Sequence, residues 1–408
     1  MHVEALEREW SAEEIRRLIR EEIRPHFAAL ASCASTAELR CLPLYRQLEP
    51  AIMRALRSPE VGHFSHGGGR AAPRYRFLAW NLERGIQLDG QIEAFRSHEY
   101  LRTCDVLLLT ETDVGMARSG NRDIARTLAE ELGFDYAFAP CYLNLAKGAG
   151  EELEVEGDNE LGLHGNALLS RYPIRHVRSV PLANGRDKMK GREKRLGNQS
   201  AVVAEIEFPN LRVLAASLHL DAHSTQRHRR DQMASVLDAL PAGAPAVIGG
   251  DWNTTTYNSS TALNAILGYW LRVMMGVDRV IRGHYLHPYR KFERALFELL
   301  EERGFDWRAA NSPGEYTIRY EFDNVRTFKG LAEWVPLWCF PFIQWALRNH
   351  DGKCPLKLDW FATRGLKVTN PVVIHDLREG RAQPLSDHDA IGLDVLTHLG
   401  DGGAGPEA

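Results

Sequence analysis

The sequence predicts an α/β protein in which two sheets pack face to face with helices outside, behind a helical N-terminal arm. Three observations carry this. From about Tyr75 onward, short apolar segments that read as strands alternate with helical segments. Ala201–Phe208 and Leu211–Leu218 are separated only by Pro209 and Asn210, and so read as a hairpin. A chain of 408 residues has room for a large core. Strands joined through both helices and hairpins suit two stacked sheets with helical covers.

In order along the chain, Ser11 and Glu14 form a capping box for a helix through Ile23, which Pro25 follows. A second helix is expected over Leu44–Leu56. Residues 1–64 thus form a helical extension, whose role reads as packing or oligomerisation, and 65–74 (SHGGGRAAPR) a linker. Strands are expected at Tyr75–Trp80, Asp105–Thr110, Gly165–Ser170, the hairpin, and Ala246–Ile248. Late strands follow at Leu358–Thr363, Val372–Ile374 and Ile391–Val395. Helices are expected at Ile124–Leu132, stopped by Gly133, and at Arg229–Leu240. The main domain spans 75–398 with an insertion at about 255–355, and 399–408 is a tail. The insertion is too long for a loop. It holds an expected helix at Tyr289–Arg303 and an aromatic run, Leu331–Leu347, interrupted by Glu333, Pro336, Pro341 and Gln344.

Composition narrows the function classes. The net charge of −4 provides no global basic field for a polyanion, so nucleic-acid binding would depend on a local patch. Six separated cysteines form no CxxC pair and read as reduced thiols. With no signal-like start and no apolar run of membrane-span length, a cytoplasmic protein is expected. The basic run Arg186–Arg195 reads as a solvated loop, with the lining of an anion-binding mouth as the sharper alternative. The acidic run Glu151–Glu160 would repel a long polyanion. The aromatic run reads as core of the insertion, with a peripheral lipid contact as the alternative.

The chemistry-bearing residues stand at or beside strand ends: Asn81 and Glu83, Glu111, Asn166, His219, Asp251 and Asn253, Asp359, then Asp387 and His388. In AVIGGDWN, Gly249 and Gly250 let the backbone turn, which leaves Asp251 and Asn253 in a mouth beyond the strand. Buried carboxylates are rare unless paired or metal-bound, and several in one mouth repel unless a cation neutralises them. Oxygen donors without cysteine select Mg²⁺, with Mn²⁺ as a substitute, which suits phosphate-ester chemistry.

WNLERG, LLTETD, HGNALLSRYPI, SLHLDAH, GGDWN, LDWFAT and SDHDAIG occur in the order found in the endonuclease/exonuclease/phosphatase superfamily. The chain resembles that superfamily over about residues 74–396. The resemblance implies a four-layered α/β sandwich with its site at one end of the sheets. It implies Glu111 as principal metal ligand, with Glu83 and Asp387 as further metal-side carboxylates. Asn81 would lie near the phosphate and metal, His219 would contact the scissile phosphate, Asp251 would orient or deprotonate the attacking water, and Asn253 would hold it and the phosphoryl oxygen. Asp359 and His388 would form a carboxylate–imidazole pair, and Asn166 would support the site. The expected function is Mg²⁺-dependent hydrolysis of a small-molecule or lipid-headgroup phosphoester. A DNA or RNA nuclease is the rival enzyme, and a non-catalytic binding module on the same fold is the second alternative.

Overall fold

The computed structural model describes residues 10–65, 69–222, 224–254, 262–321, 340–378 and 383–397. The strands are β1 (Glu60–Gly62), β2 (Arg74–Arg84), β3 (Val106–Val114), β4 (Asp135–Asn144), β5 (Leu163–Ser170), β6 (Ile174–Leu182), β7 (Arg195–Gly197) and β8 (Gln199–Phe208). They continue as β9 (Leu211–Leu218), β10 (Ala246–Asp251), β11 (Ile318–Glu321), β12 (Lys353–Leu356), β13 (Asp359–Arg364), β14 (Lys367–Ile374) and β15 (Ala390–Leu396). One sheet runs β1-β4-β5-β3-β2-β15-β14, with β7 on β4; the other runs β13-β10-β9-β8-β6. Both are mixed: β2 and β3 are parallel, as are β9 and β10, beside antiparallel neighbours.

Alternation along β2 shows how the layers form. Tyr75, Phe77 and Ala79 face the other sheet, packed with Val202, Ile206, Val247 and Phe361. Leu78, Trp80 and Leu82 face outward under helices Leu88–Ser97 and Ile124–Leu132. This is the two-residue period of a strand buried on both faces. The outer face of the second sheet packs against helices Gln226–Asp238 and Arg294–Glu302. The result is the four-layered sandwich with helices on both outer faces.

The N-terminal arm shares the core on the outer face of the first sheet, where Ile19, Ile23, Leu30, Ile52 and Ala55 are buried. The Ser11–Glu14 capping box is present, but its α-helix covers only Ala12–Leu18. The chain then widens into a π-turn over Ile19–Ile23 before Pro25, whose ring and missing N–H end regular helix. The second helix runs Pro43–Arg57. Helix Ile124–Leu132 ends as expected, with Gly133 left-handed at φ 64°.

Several elements escaped the sequence reading, among them helix Leu88–Ser97, β4 and β6. Helix Leu88–Ser97 carries Gly90 within it, and β4 is interrupted at Pro140, where its pairing with β5 shifts register. β6 is an edge strand rich in exposed charge, with a register shift against β8. The expected helix at Tyr289–Arg303 forms only as a 3₁₀ turn at Pro288–Arg290 and a helix at Arg294–Glu302. The run Arg186–Arg195 is not simply a solvated loop: Met189 and Glu193 are buried, Lys188 pairs with Asp221 at 3.0 Å, and Arg195 begins β7. Of the aromatic run, Phe340–Leu347 is helical and 331–339 lie outside the described residues.

Candidate active site

Asp251, at the end of β10, is the register partner of Asp359 at the start of β13, so the second sheet places two carboxylates abreast. The first sheet contributes Asn81 and Glu111 from the adjacent parallel strands β2 and β3. The Asn81 Nδ2 donates to Glu111 Oε1 at 3.2 Å and Asp251 Oδ2 at 3.3 Å, so one carboxamide joins the two sheets. His219, just past β9, has its Nε2 3.3 Å from Asp251 Oδ2 and its Nδ1 3.9 Å from Glu111 Oε1. Asn253 donates to the Leu220 carbonyl at 3.0 Å and to Asp251 Oδ2 at 3.3 Å.

His388 Nδ1 lies 2.8 Å from Asp359 Oδ2, and its Nε2 lies 3.8 Å from Asp251 Oδ2. The turn carrying it is latched to β2. Ser386 Oγ donates to the Asn81 carbonyl at 2.6 Å and accepts the His388 N–H at 3.1 Å. Thr317 Oγ1 accepts the backbone N–H groups of Leu358 and Asp359, which fixes the carboxylate partner.

The backbone is bent to make this mouth. Glu83, Arg84, Glu111 and Asn253 all have φ between 48° and 66°, a left-handed region that non-glycine residues seldom occupy. At Glu83–Arg84 and at Glu111, strand pairing shifts register, so the bulges turn polar side chains out of the sheet. Gly250, at φ 136°, is needed for space as well: a Cβ there would lie 2.2 Å from the Leu218 carbonyl.

Electrostatics divide the mouth in two. Burial opposes ionisation of Glu111, but Arg84, His219, His164 and the Asn81 amide overcome it and hold the carboxyl far below its ordinary value. Burial pushes Asp251 upward, with Asp359 adding to the push and His219 and His388 opposing it. His388 is driven the other way: burial disfavours its charge, yet Asp359, Asp251 and Asp387 raise it well above a free imidazole.

All nine expected site residues therefore reach the same end of the sandwich, with differences in detail. Asp251, Asp359 and His388 form the trio of ligand-type groups within 4.8 Å of one another among the described residues; Glu111, Glu83 and Asp387 do not form one. Glu83 Oε2 accepts the Asp387 backbone N–H at 3.1 Å, so it bonds the 386–388 turn. Asn166 spans the sheets instead of facing the mouth, donating to the Ser200 carbonyl at 2.6 Å. His228 bonds the Ala183 carbonyl and the His284 ring packs at a tilt against Phe292, while His223 lies outside the described residues.

The sequence reading missed the support behind Glu111. Buried Arg118 joins Asp113 (2.8 Å), Glu193 (2.9 Å) and Glu152 (3.1 Å), and His164 Nδ1 lies 2.7 Å from Asp113. Arg84 connects this network to the mouth, 3.2 Å from Glu152 and 3.9 Å from Glu111. Asp113 and His164 lie inside LLTETD and HGNALLS, so their motifs were visible although their pairing was not. Tyr320 on β11 was missed too; its phenol is within charge range of Asp387, Asp251 and Glu111.

Two stacked mixed sheets between helical layers, with acids, amides and imidazoles gathered where the strands end, define a class of protein. Residues 78–388 match the Endonuclease/Exonuclease/phosphatase family, and the chain belongs to it. It is 28% identical over 179 residues to an uncharacterized protein, YbhP, of Escherichia coli (strain K12). That match covers 43% of this chain and 62% of the relative's length. Among solved structures, an endonuclease/exonuclease/phosphatase from Beutenbergia cavernae is similar at 17% identity and TM-score 0.46, covering 80% of this chain and 72% of that one. The human Nocturnin catalytic domain with bound sulfate is similar at 16% identity and TM-score 0.43, covering 83% and 97%.

Proposed function

We propose that this chain is a Mg²⁺-dependent hydrolase of phosphoric esters, acting on a small-molecule or lipid-headgroup substrate in the cytoplasm. The observation that supports it is the Asn81 amide held between Glu111 and Asp251, which joins a carboxyl held far below its ordinary value to one that burial pushes upward. The donor set suits a hard divalent cation. Glu111 is held ionised, Asp387 stands nearby, and the buried Asp359 Oδ1 has no hydrogen-bond partner. Glu111 would be the main ligand, with Asp387 and Glu83 on the same side. When bound, the ion would polarise the phosphoryl oxygen and stabilise the leaving oxygen.

The remaining work belongs to the chain. Asp251 accepts a proton from the attacking water, which Asn253 orients, while Asn81 and His219 hold phosphoryl oxygens. His388, kept cationic by Asp359, supplies positive charge as the phosphorus centre becomes more anionic.

The test is a hydrolysis panel with Mg²⁺ covering DNA, RNA, inositol phosphates, sphingomyelin-like lipids and a soluble aryl phosphodiester. Hydrolysis of the aryl diester or a lipid headgroup, abolished by chelation and restored by Mg²⁺, is the expected result. Turnover confined to DNA or RNA would move the assignment to a nuclease, with salt-sensitive binding as its companion sign. No turnover of any substrate, with unaltered binding by Glu111→Ala and Asp251→Asn, would leave a binding module.

A further inference from the structure

Eight large hydrophobic side chains are exposed among the described residues, and six of them lie on two helices of the insertion. On the helix Ala262–Met275 they are Leu267, Trp270, Leu271 and Met274, the spacing of one helical face; Met274 is 83% exposed. On the helix Phe340–Leu347 they are Phe342 and Trp345, one turn apart. Trp270 and Phe342 meet at a ring distance of 5.6 Å, so the two faces form one patch. Contiguous apolar patches of this kind mark contact surfaces on soluble domains.

The stretch of chain that carries the patch is one-sided in charge. Residues 262–292 carry Arg272, Arg279, Arg282, Arg290 and Lys291 against the single acid Asp278, in a chain whose net charge is −4. Arg279, Arg290 and Lys291 are exposed, and Arg348 lies over the Trp345 ring at 4.5 Å. Tryptophan beside arginine at the rim of an apolar face fits a lipid–water interface, where the ring sits at headgroup level and the cation meets lipid phosphate. No helix among the described residues is long and apolar enough to cross a membrane, so contact through this patch would be peripheral.

The patch is tied to the site. The insertion leaves the second sheet just past Asn253 and returns at Asp359. Beneath the helices, Ile281, Ile343 and Leu347 pack with Ile318 and Leu358. Ile318 pairs with His388, and Tyr320 on the same strand approaches the acids.

We propose that this face docks onto an anionic lipid bilayer and brings the catalytic mouth to phosphoesters at that surface. The choice of substrate class rests on the hydrolase reading above; the docking itself does not. The full chain would be sedimented with vesicles of phosphatidylcholine alone and of phosphatidylcholine mixed with phosphatidylglycerol. It is expected to pellet with the mixed vesicles and at least tenfold less with phosphatidylcholine. Leu271→Asp with Met274→Asp should leave it in the supernatant while preserving hydrolysis of the soluble aryl diester, and Trp345→Ser should weaken binding severalfold. Glu111→Ala should pellet like the natural chain, which separates docking from catalysis. Wild-type chain that stays in the supernatant with both vesicles, or a double variant that pellets normally, overturns the proposal. So does a patch that only pairs two copies, seen as a doubled mass by light scattering that Leu271→Asp abolishes without any vesicle binding.

Discussion

The two walls of the mouth are built from opposite materials. Behind Glu111, guanidinium groups answer carboxylates: Arg84 and Arg118 stand among Asp113, Glu152 and Glu193. Around Asp251 no guanidinium approaches closely among the described residues, and the partners are His219, His388 and the amides of Asn81 and Asn253. A guanidinium never gives up its proton at working pH. The first wall is therefore fixed in charge and suited to holding a cation. The second centres on Asp251, whose proton affinity burial raises, so it is suited to taking up the proton that an attack by water releases.

The largest effect expected is on the fixed wall. Arg118→Met would remove the cation that Asp113, Glu152 and Glu193 share, leaving them only His164, Arg84 and Arg195, and loss of one partner from a buried ionic network costs about 3–5 kcal/mol. Urea unfolding would register this as a lower midpoint; an unchanged midpoint would mean that the network adds nothing to folding. Next come Glu111→Ala and Asp251→Asn, each expected to lower kcat by at least about 100-fold, close to 3 kcal/mol of barrier. Steady-state kinetics on the aryl diester would check it, and the contrast between walls predicts that added Mg²⁺ partly offsets the Glu111→Ala loss but not the Asp251→Asn loss.

Acid stability sharpens the contrast further. Burial raises Asp113, but Arg118 and His164 outweigh it and bring the carboxyl from 3.8 down to about 2. A carboxyl depressed in the folded state stabilises it above the unfolded value and loses that contribution as pH falls from 3.8 through about 2. The contribution is on the order of 2 kcal/mol. Unfolding free energies of the natural chain and Asp113→Asn should therefore converge as pH falls across that window, and parallel curves would refute the assignment. The smallest effect concerns Tyr320 on β11. Burial and then Asp387, Asp251 and Glu111 push the Tyr320 phenol upward, so it stays an O–H donor beside these acids. Tyr320→Phe should lower kcat/KM by about fivefold, roughly the 1 kcal/mol of one hydrogen bond, without altering the fold.

The strand ends were legible because each is an apolar run stopped by one polar residue, as in DVLLLTE and AVIGGD. Their convergence followed from the ordered motifs, since nothing local to Asp251 announces Asp359, its register partner across the sheet. Arg118 illustrates what sequence could not supply: its partners lie 5, 34 and 75 residues away, and no periodicity connects them. Within the acidic run read as repelling polyanions, Glu152 lies between two arginines, a pairing the sequence did not show. The basic run failed as a simple loop because Met189 and Glu193 fold it inward, a burial that charge density conceals.

The carboxamide of Asn81 has a bearing on how this molecule would fail. Because it touches an acid from each sheet, the spacing of the chemical groups measures how the sheets lie against each other. A slip of about one ångström between layers, too small to expose the interior, would already separate donors from acceptors. Turnover should then fade on warming before any bulk unfolding signal, so that activity acts as a gauge of interlayer alignment.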